Sequence, residues 1–308
     1  MTPITFRPLF MERVWGGRRI AEELGKALPP DVPIGESWEI VDRKEEQSIV
    51  DSGPFEGKSL HELWTKHRRE IFGTEKGGRR FPLLAKILDA REKLSVQVHP
   101  PAHLAEELHG DPKTEMWYLL GAEPGAELFV GFRQGVTRDS FEDALASGHA
   151  AELLHRLPVR EGDAIFIPSG RCHAIGAGCL IVEMQQNSDT TYRVFDWNRV
   201  GLDGQPRQLH VRQSLQAIDF NDHEPALESA KGECLVDCEH FRVERWDLAG
   251  PRADTTRGAA IFTVLAGEIS CQERTFHRGD FFLLPAGAKE REVRPQGRAA
   301  RVLRTTLP

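Results

Sequence analysis

A nine-residue pattern occurs twice in this 308-residue chain, 117 positions apart. The first copy runs from Gly162 to Gly170 and the second from Gly279 to Gly287. Each reads Gly-Asp, four apolar residues, Pro, a small residue and Gly. Glycine and proline at fixed positions around a short apolar run are typical of a strand between two turns. The repeat therefore indicates that a β scaffold has been duplicated.

The two copies differ in the polar residues around them. His173 follows the first copy, whereas Glu290 stands at the matching position after the second. A looser match of residues 117–123 with 262–268 puts Ala260 where the first copy has Glu115. The sequence thus predicts that both copies keep the scaffold and that only the first keeps metal ligands.

Three short segments of the first copy supply candidate metal ligands. Gln97 and His99 are two positions apart in an alternating segment, so they face the same side of a strand. Lys113 and Glu115 share a face by the same rule, and His173 follows the turn after the repeat. Imidazole, carboxylate and amide oxygen are suitable ligands for a borderline divalent cation, with zinc as the first choice.

Composition limits the remaining possibilities. The net charge is −7, with acidic and basic residues intermixed, which argues against general nucleic-acid binding but allows an anionic small-molecule substrate. No apolar run approaches the roughly 18 residues of a membrane span, and the N-terminus does not resemble a secretory signal. Five cysteines, an odd number, favour a reducing compartment, so we expect a cytoplasmic protein. The oligomeric state is left open.

Local patterns predict the helices and a boundary. A capping box at Ser59–Glu62 predicts the start of a helix, and Thr137 with Ser140 predicts another. The predicted helical segments are residues 60–72, 102–108, 138–146, 149–154 and 210–218. Glu224-Pro225 marks a boundary between residues 1–224, which hold the metal site, and residues 225–308, which read as an all-strand domain.

Longer motifs resemble a known family. Gly-x5-Pro-x-Gly-x2-His, with Gln-x-His and Glu upstream, resembles the cupin superfamily of jelly-roll β-barrels. Four strings narrow the resemblance to type I mannose-6-phosphate isomerases, namely Phe81–Leu88, Leu94–Pro100, Lys113–Tyr118 and Glu183–Trp197. The resemblance extends from Trp15 to about Asp219, is weaker in the C-terminal part, and favours the short bacterial form. It implies a mainly-β fold of two cupin (jelly-roll) domains, with helices packed on the N-terminal part.

The resemblance also implies a reaction and a set of site residues. The family interconverts mannose 6-phosphate and fructose 6-phosphate, an aldose–ketose isomerisation through an enediol, with one Zn²⁺ per chain. Its roles map here to metal ligands Gln97, His99, Glu115 and His173; an essential Arg193; proton-transfer candidates Lys113, Glu183 and Asp189; and phosphate contacts Ser95 and Lys86. One departure is Pro112, where larger bacterial members carry a histidine.

Several alternatives stay open at this point. The general base can be Lys113, if a nearby cation lowers its pKa, or else Glu183 or Asp189. The metal either polarises the carbonyl or only positions the sugar. Rival functions are an iron-dependent cupin oxygenase, a non-catalytic sugar-phosphate-binding cupin and an isomerase of a different sugar.

Overall fold

The computed structural model describes residues 1–229 and 232–308, and strands dominate both ranges. The strands before residue 200 are β1 (Phe6–Arg7), β2 (Leu9–Gly17), β3 (Ile34–Ile40), β4 (Ile49–Val50), β5 (Leu83–Ala90), β6 (Val96–Val98), β7 (Glu115–Ala122), β8 (Glu127–Phe132), β9 (Leu154–Pro158), β10 (Ala164–Ile167), β11 (His173–Ile175), β12 (Cys179–Gln186) and β13 (Tyr192–Phe195). The later strands are β14 (Cys234–Asp237), β15 (Arg242–Leu248), β16 (Arg252–Ala253), β17 (Ala260–Ala266), β18 (Ile269–Cys271), β19 (Arg274–Phe276), β20 (Phe281–Leu284), β21 (Glu292–Pro295) and β22 (Ala300–Thr306).

The strands form two barrels, each made of two sheets. In the first barrel a six-stranded sheet, β10-β7-β12-β5-β3-β2, faces a five-stranded sheet, β13-β6-β11-β8-β9. In the second barrel a five-stranded sheet, β14-β15-β22-β17-β20, faces a four-stranded sheet, β16-β21-β18-β19. Strands β1 and β4 form a separate pair, and the named strands all pair antiparallel. The predicted mainly-β fold of two jelly-roll barrels is confirmed.

The repeated glycines form the same turn in both barrels. Gly162 and Gly279 have φ values of +93° and +88°, which glycine adopts without the steric cost of a side chain. The carboxylates of Asp163 and Asp280 each accept a hydrogen bond from the backbone N–H three residues earlier, at 2.9 and 2.7 Å. The Gly-Asp pair thus fixes the turn that starts β10 and β20.

The strand register confirms that the repeat is structural. Glu115 lies opposite Ile167 in the β7–β10 pair, and Ala260 lies opposite Leu284 in the β17–β20 pair. Ile167 and Leu284 hold the same place in the repeated pattern, so Ala260 replaces Glu115 as predicted. Glu290, the counterpart of His173, is exposed.

The core of the second barrel is built from aromatic and aliphatic side chains. The ring of Phe282 stacks on Phe276 and Phe262, with centroids 4.1 and 5.2 Å apart. Trp246 completes this aromatic group. Large rings therefore fill the interior of the second barrel, whereas the interior of the first carries charged side chains.

The helices lie mainly on the first part of the chain. They are α1 (Arg19–Glu22), α2 (Leu60–Lys66), α3 (Arg68–Phe72), α4 (Arg138–Ala146) and α5 (Val211–Ala217), with 3₁₀ turns at Ala102–Leu104 and Ala150–Leu153. The predicted capping boxes at the starts of α2 and α4 are both present. No helix within residues 1–229 or 232–308 has the length and apolar character needed to cross a bilayer.

Two helix predictions are wrong in extent, and the predicted helix over 60–72 is interrupted at His67, between α2 and α3. The segment 102–108 forms only a 3₁₀ turn at Ala102–Leu104, and 149–154 forms one at Ala150–Leu153 before Leu154 begins β9. Both segments are too short to repay helix nucleation, and neither has a side-chain N-cap. The boundary at Glu224-Pro225 falls between α5 and β14 and stays a prediction.

Candidate active site

Cross-strand pairing brings the predicted site residues together. In the six-stranded sheet Glu183 of β12 lies opposite Lys86 of β5. In the five-stranded sheet Gln97 of β6 lies opposite His173 of β11 on one side and Arg193 of β13 on the other. Directly opposed residues have closely spaced side chains, so the register alone groups these candidate site residues.

The alternation along each strand decides which residues face inward. Val96 and Val98 pack outward in one apolar core with Tyr192 and Val194, whereas Gln97 lines the interior cavity. This arrangement confirms the predicted alternation around Gln97, because valines and polar residues occupy opposite faces.

Three buried side chains form a cluster that can hold a metal ion. The ligand atoms of His99, Glu115 and His173 all lie within 4.8 Å of one another. Nε2 of His99 is 3.6 Å from Oε2 of Glu115, and Nε2 of His173 is 3.5 Å from Oε1. Two imidazole nitrogens and a carboxylate are a donor set that suits zinc and related divalent ions.

Hydrogen bonds aim both histidines at the cluster. Nδ1 of His99 donates to the carbonyl of Thr190 at 2.8 Å, and Nδ1 of His173 donates to that of Arg171 at 2.9 Å. Each ring then presents an unprotonated Nε2 to Glu115. Burial lowers the pKa of His173 to about 4 and lowers the pKa of His99 as well. Neutral imidazole is the form that binds a metal.

The carboxylate of Glu115 also fits a metal ligand. Neither of its oxygens takes part in a hydrogen bond of normal geometry, although both are buried, and the ammonium of Lys113 lies 2.9 Å from Oε2. The amide nitrogen of Gln97 lies 3.3 Å from Nε2 of His173, and its oxygen accepts a hydrogen bond from Ser95. A half-turn of this amide exchanges its oxygen and nitrogen and would direct the oxygen toward the cluster.

Cations and carboxylates alternate from this cluster toward the barrel wall. Nζ of Lys113 lies 2.9 Å from Glu115 and 3.5 Å from Glu183. Nζ of Lys86 lies 3.5 Å from Glu183 and 3.3 Å from Glu36. Glu36 in turn pairs with Arg13, whose Nε lies 2.7 Å from its Oε1. The deep charge array therefore consists of Arg13, Glu36, Lys86, Glu183, Lys113 and Glu115.

The array shifts the pKa values of its members. Burial works to lower the pKa of Lys113, but Glu115 and Glu183 outweigh it and raise that pKa. Burial and the charge of Glu115 raise the pKa of Glu183 despite the two lysines beside it. A neutral Lys113 that acts as a base needs a lowered pKa, which a bound cation would favour. Glu115 and Glu183 oppose that effect.

A cavity of about 620 Å³ opens above the array. Eight of the predicted site residues line it, namely Lys86, Ser95, Gln97, Lys113, Glu115, Glu183, Asp189 and Arg193. His99 and His173 lie behind its wall and are buried. Asp189 is exposed, whereas Glu183 and Lys113 are buried. The structure thus brings all ten predicted residues into or next to one cavity.

Sequence reasoning missed Arg13, Glu36 and Arg207, which also line the cavity. Nε of Arg13 donates to Glu36 at 2.7 Å, and Nε1 of Trp38 donates to it at 2.6 Å. Burial works to raise the pKa of Glu36, but Lys86 and Arg13 outweigh it and hold that pKa far below its usual range. The sequence feature that could have identified Glu36 is its place in a strand two positions before Trp38. Arg207 lies in a loop without a motif.

Two family models match the chain. Residues 4–119 match a model described as phosphomannose isomerase type I, catalytic domain. Residues 231–304 match one described as mannose-6-phosphate isomerase, cupin domain. Together they cover parts of both barrels.

Whole-length relatives agree with these matches. Mannose-6-phosphate isomerase ManA of Bacillus subtilis is 38% identical over 303 residues, which covers 94% of this chain and 94% of the relative. Mannose-6-phosphate isomerase of Streptococcus mutans is 37% identical, with 90% and 92% coverage. The crystal structure of the mannose 6-phosphate isomerase from Bacillus subtilis superposes with a TM-score of 0.89 at 33% identity, and the match covers 100% of both chains.

Proposed function

This chain belongs to the phosphomannose isomerase type I family, and on that premise we propose that it interconverts mannose 6-phosphate and fructose 6-phosphate. The observation that carries the proposal is the buried His99–Glu115–His173 cluster at the foot of a cavity lined by lysine and arginine. A phosphosugar needs both features, because its phosphate is anionic and its carbonyl must be activated.

The proposed cofactor is one zinc ion held by Gln97, His99, Glu115 and His173. When bound, zinc supplies positive charge that stabilises the negative oxygen developing as a proton leaves the neighbouring carbon. Four strong protein ligands usually close a zinc site, but an amide oxygen is a weak donor. Because Gln97 would be a weak ligand, such a site would leave room for a water or a sugar oxygen.

The proton is proposed to move between C1 and C2 of the sugar through an enediol. Lys113, Glu183 and Asp189 are the candidates for this transfer, since all three line the cavity. Arg193 is permanently charged and lines the same cavity, where its forked N–H groups suit the binding of phosphate oxygens. Ser95 and Lys86 are proposed to contact the substrate from the cavity wall.

The experiment that tests this function follows the conversion of mannose 6-phosphate to fructose 6-phosphate by zinc-loaded protein. A chelator-treated sample and a sample given glucose 6-phosphate serve as controls. We expect zinc-dependent turnover of mannose 6-phosphate and none of glucose 6-phosphate. Binding without turnover by fully metallated protein would instead indicate a sugar-phosphate-binding protein. Dioxygen consumption by a ferrous sample would indicate an oxygenase.

Two further features belong to the same proposal. Residues 1–224 are proposed to form the catalytic domain and residues 225–308 a degenerate cupin domain, which the aromatic interior of the second barrel supports. The odd number of cysteines supports the cytoplasm as the location. The acidic net charge of −7 supports a small-molecule substrate rather than nucleic acid.

A further inference from the structure

The phosphate of the substrate needs a cationic site at some distance from the reacting carbons. In a hexose 6-phosphate, C1 and C2 lie at the opposite end of the sugar from the phosphate. If C1 and C2 approach the buried metal cluster, the phosphate must lie toward the mouth of the cavity. This inference rests on the proposed function and locates one part of that substrate.

The deep charge array has no charge to spare for a phosphate. Its three cations alternate with three carboxylates, so the array is neutral before any metal is added. Lys86 lies between two of those carboxylates and is buried. A phosphate dianion placed against Lys86 would also lie next to Glu36 and Glu183, which repel it.

The mouth of the cavity has a surplus of positive charge. Arg199 and Arg207 share a single carboxylate, that of Asp196, at 2.8 and 3.3 Å. Arg193 forms no ion pair within residues 1–229 and 232–308; its Nε donates to Ser95 at 3.3 Å. Three arginines accompany one carboxylate here, so the surroundings of Arg193 and Arg207 carry a positive charge that suits an anion.

The other carboxylates that line the cavity, those of Glu12, Asp189 and Asp203, form no ion pair with Arg193 or Arg207 within residues 1–229 and 232–308. Asp189 contributes to the raised pKa of Arg13 and of Lys113. Asp203 accepts the backbone N–H of Gln205 at 2.9 Å and keeps its negative charge, so the positive surplus is local to Arg193 and Arg207.

The mouth arginines also act on one another. Burial, and next the charge of Arg193, lower the pKa of Arg207 to about 10. A guanidinium group whose charge is destabilised by a neighbouring cation is stabilised when an anion lies beside it.

We propose that the phosphate group of the substrate binds between Arg193 and Arg207, and that Arg207 is a specificity-determining residue for phosphorylated sugars. Both side chains line the cavity and are partly exposed, so their forked N–H groups can reach the phosphate oxygens. Arg207 lies in the loop between β13 and α5. Ser95, which accepts from Arg193 and donates to Gln97, connects this subsite with the metal cluster.

The test compares zinc-loaded wild type with Arg207→Gln, Arg207→Lys and Arg212→Gln. Arg212 is an exposed arginine of α5 and serves as the matched control. The measurements are KM and kcat for mannose 6-phosphate, and the affinity for inorganic phosphate by calorimetry. Because Arg207→Gln loses forked, charge-assisted hydrogen bonds to the phosphate, we expect its KM to rise and its phosphate affinity to fall, each roughly 10- to 100-fold. Arg207→Lys should recover part of the loss, and Arg212→Gln should match wild type.

Wild-type phosphate affinity and KM in a folded Arg207→Gln variant would overturn the proposal. Loss of phosphate affinity in Lys86→Gln, with normal affinity in Arg207→Gln, would overturn it in favour of the deep lysine. Phosphate calorimetry needs no turnover. A wild type that binds phosphate through Arg207 but does not isomerise mannose 6-phosphate would therefore refute the proposed function and support this subsite.

Discussion

Backbone carbonyls orient the two histidines of the candidate metal cluster. His99 and His173 each donate Nδ1–H to a carbonyl oxygen, which fixes the tautomer and the direction of Nε2. Glu115 lies between them with both oxygens lacking hydrogen bonds of normal geometry. The three groups are arranged for a cation, and a bound ion would compete with the ammonium of Lys113, which lies 2.9 Å from Glu115 and 3.3 Å from Nε2 of His99.

The buried carboxylate of Glu183 should matter more to the chemistry than the exposed carboxylate of Asp189. Glu183 lies 3.5 Å from both Lys86 and Lys113, and its raised pKa suits a group that gains and loses a proton. We expect Glu183→Gln to lower kcat about 10²- to 10⁴-fold, the usual contribution of a general acid or base. Asp189→Asn should lower it less. Steady-state kinetics with zinc-loaded variants measure both, and the reverse order would assign the proton transfer to Asp189.

Sequence could predict the residues that belong to local motifs. Gln97, His99 and Glu115 were found because alternation along a strand fixes their direction, and that direction holds in the structure. Arg207 could not be found, because a loop residue acquires its neighbours only from the tertiary fold. Glu36 could not be assigned either, because its role depends on Lys86, 50 positions away along the chain.

At the scale of elements, the two copies of the repeat show what the pattern encodes. Gly162 and Gly279 begin equivalent strands through the same turn, while the residues that face the two interiors differ. The sequence pattern therefore predicted a duplicated strand scaffold whose second copy lacks the candidate ligands. It placed α4 and α5 correctly but read the 3₁₀ turns within 102–108 and 149–154 as helices, because 3₁₀ turns and short α-helices differ by only a few backbone hydrogen bonds.

The two repeated glycines should respond differently to alanine. In Gly162→Ala the new methyl group meets no atom closer than 3.9 Å, so only the positive φ opposes it, at a cost of about 1 kcal/mol. In Gly279→Ala the methyl group also lies 3.0 Å from Cβ of Leu24, so the free energy of unfolding should fall further. Urea denaturation of both variants measures these costs. A larger loss for Gly162→Ala would contradict this description of the turns.

At the scale of the whole molecule, one apolar core joins the two barrels. Trp64 and Phe72 of the helices pack in the same cluster as Phe241 and Leu283 of the C-terminal part. The second barrel therefore contributes to the stability of the first.

Truncation of a side chain in the shared core should affect stability and leave the chemistry intact. Phe241 is completely buried, and Phe241→Ala should lower the free energy of unfolding by about 3–5 kcal/mol. We expect one cooperative thermal transition at a lower Tm, with KM for mannose 6-phosphate unchanged well below that Tm. A separate early transition, with the remaining transition at the wild-type Tm, would show that the two barrels are not coupled.

We propose that one divalent cation, bound by His99, Glu115, His173 and Gln97, supports the isomerisation. The most direct test adds zinc stepwise to chelator-stripped protein and measures bound zinc and mannose 6-phosphate turnover on the same samples. We predict that both rise together and saturate at one equivalent, and that His173→Ala loses both. Full turnover by the stripped protein, or one tightly bound zinc and wild-type turnover in His173→Ala, would contradict the account.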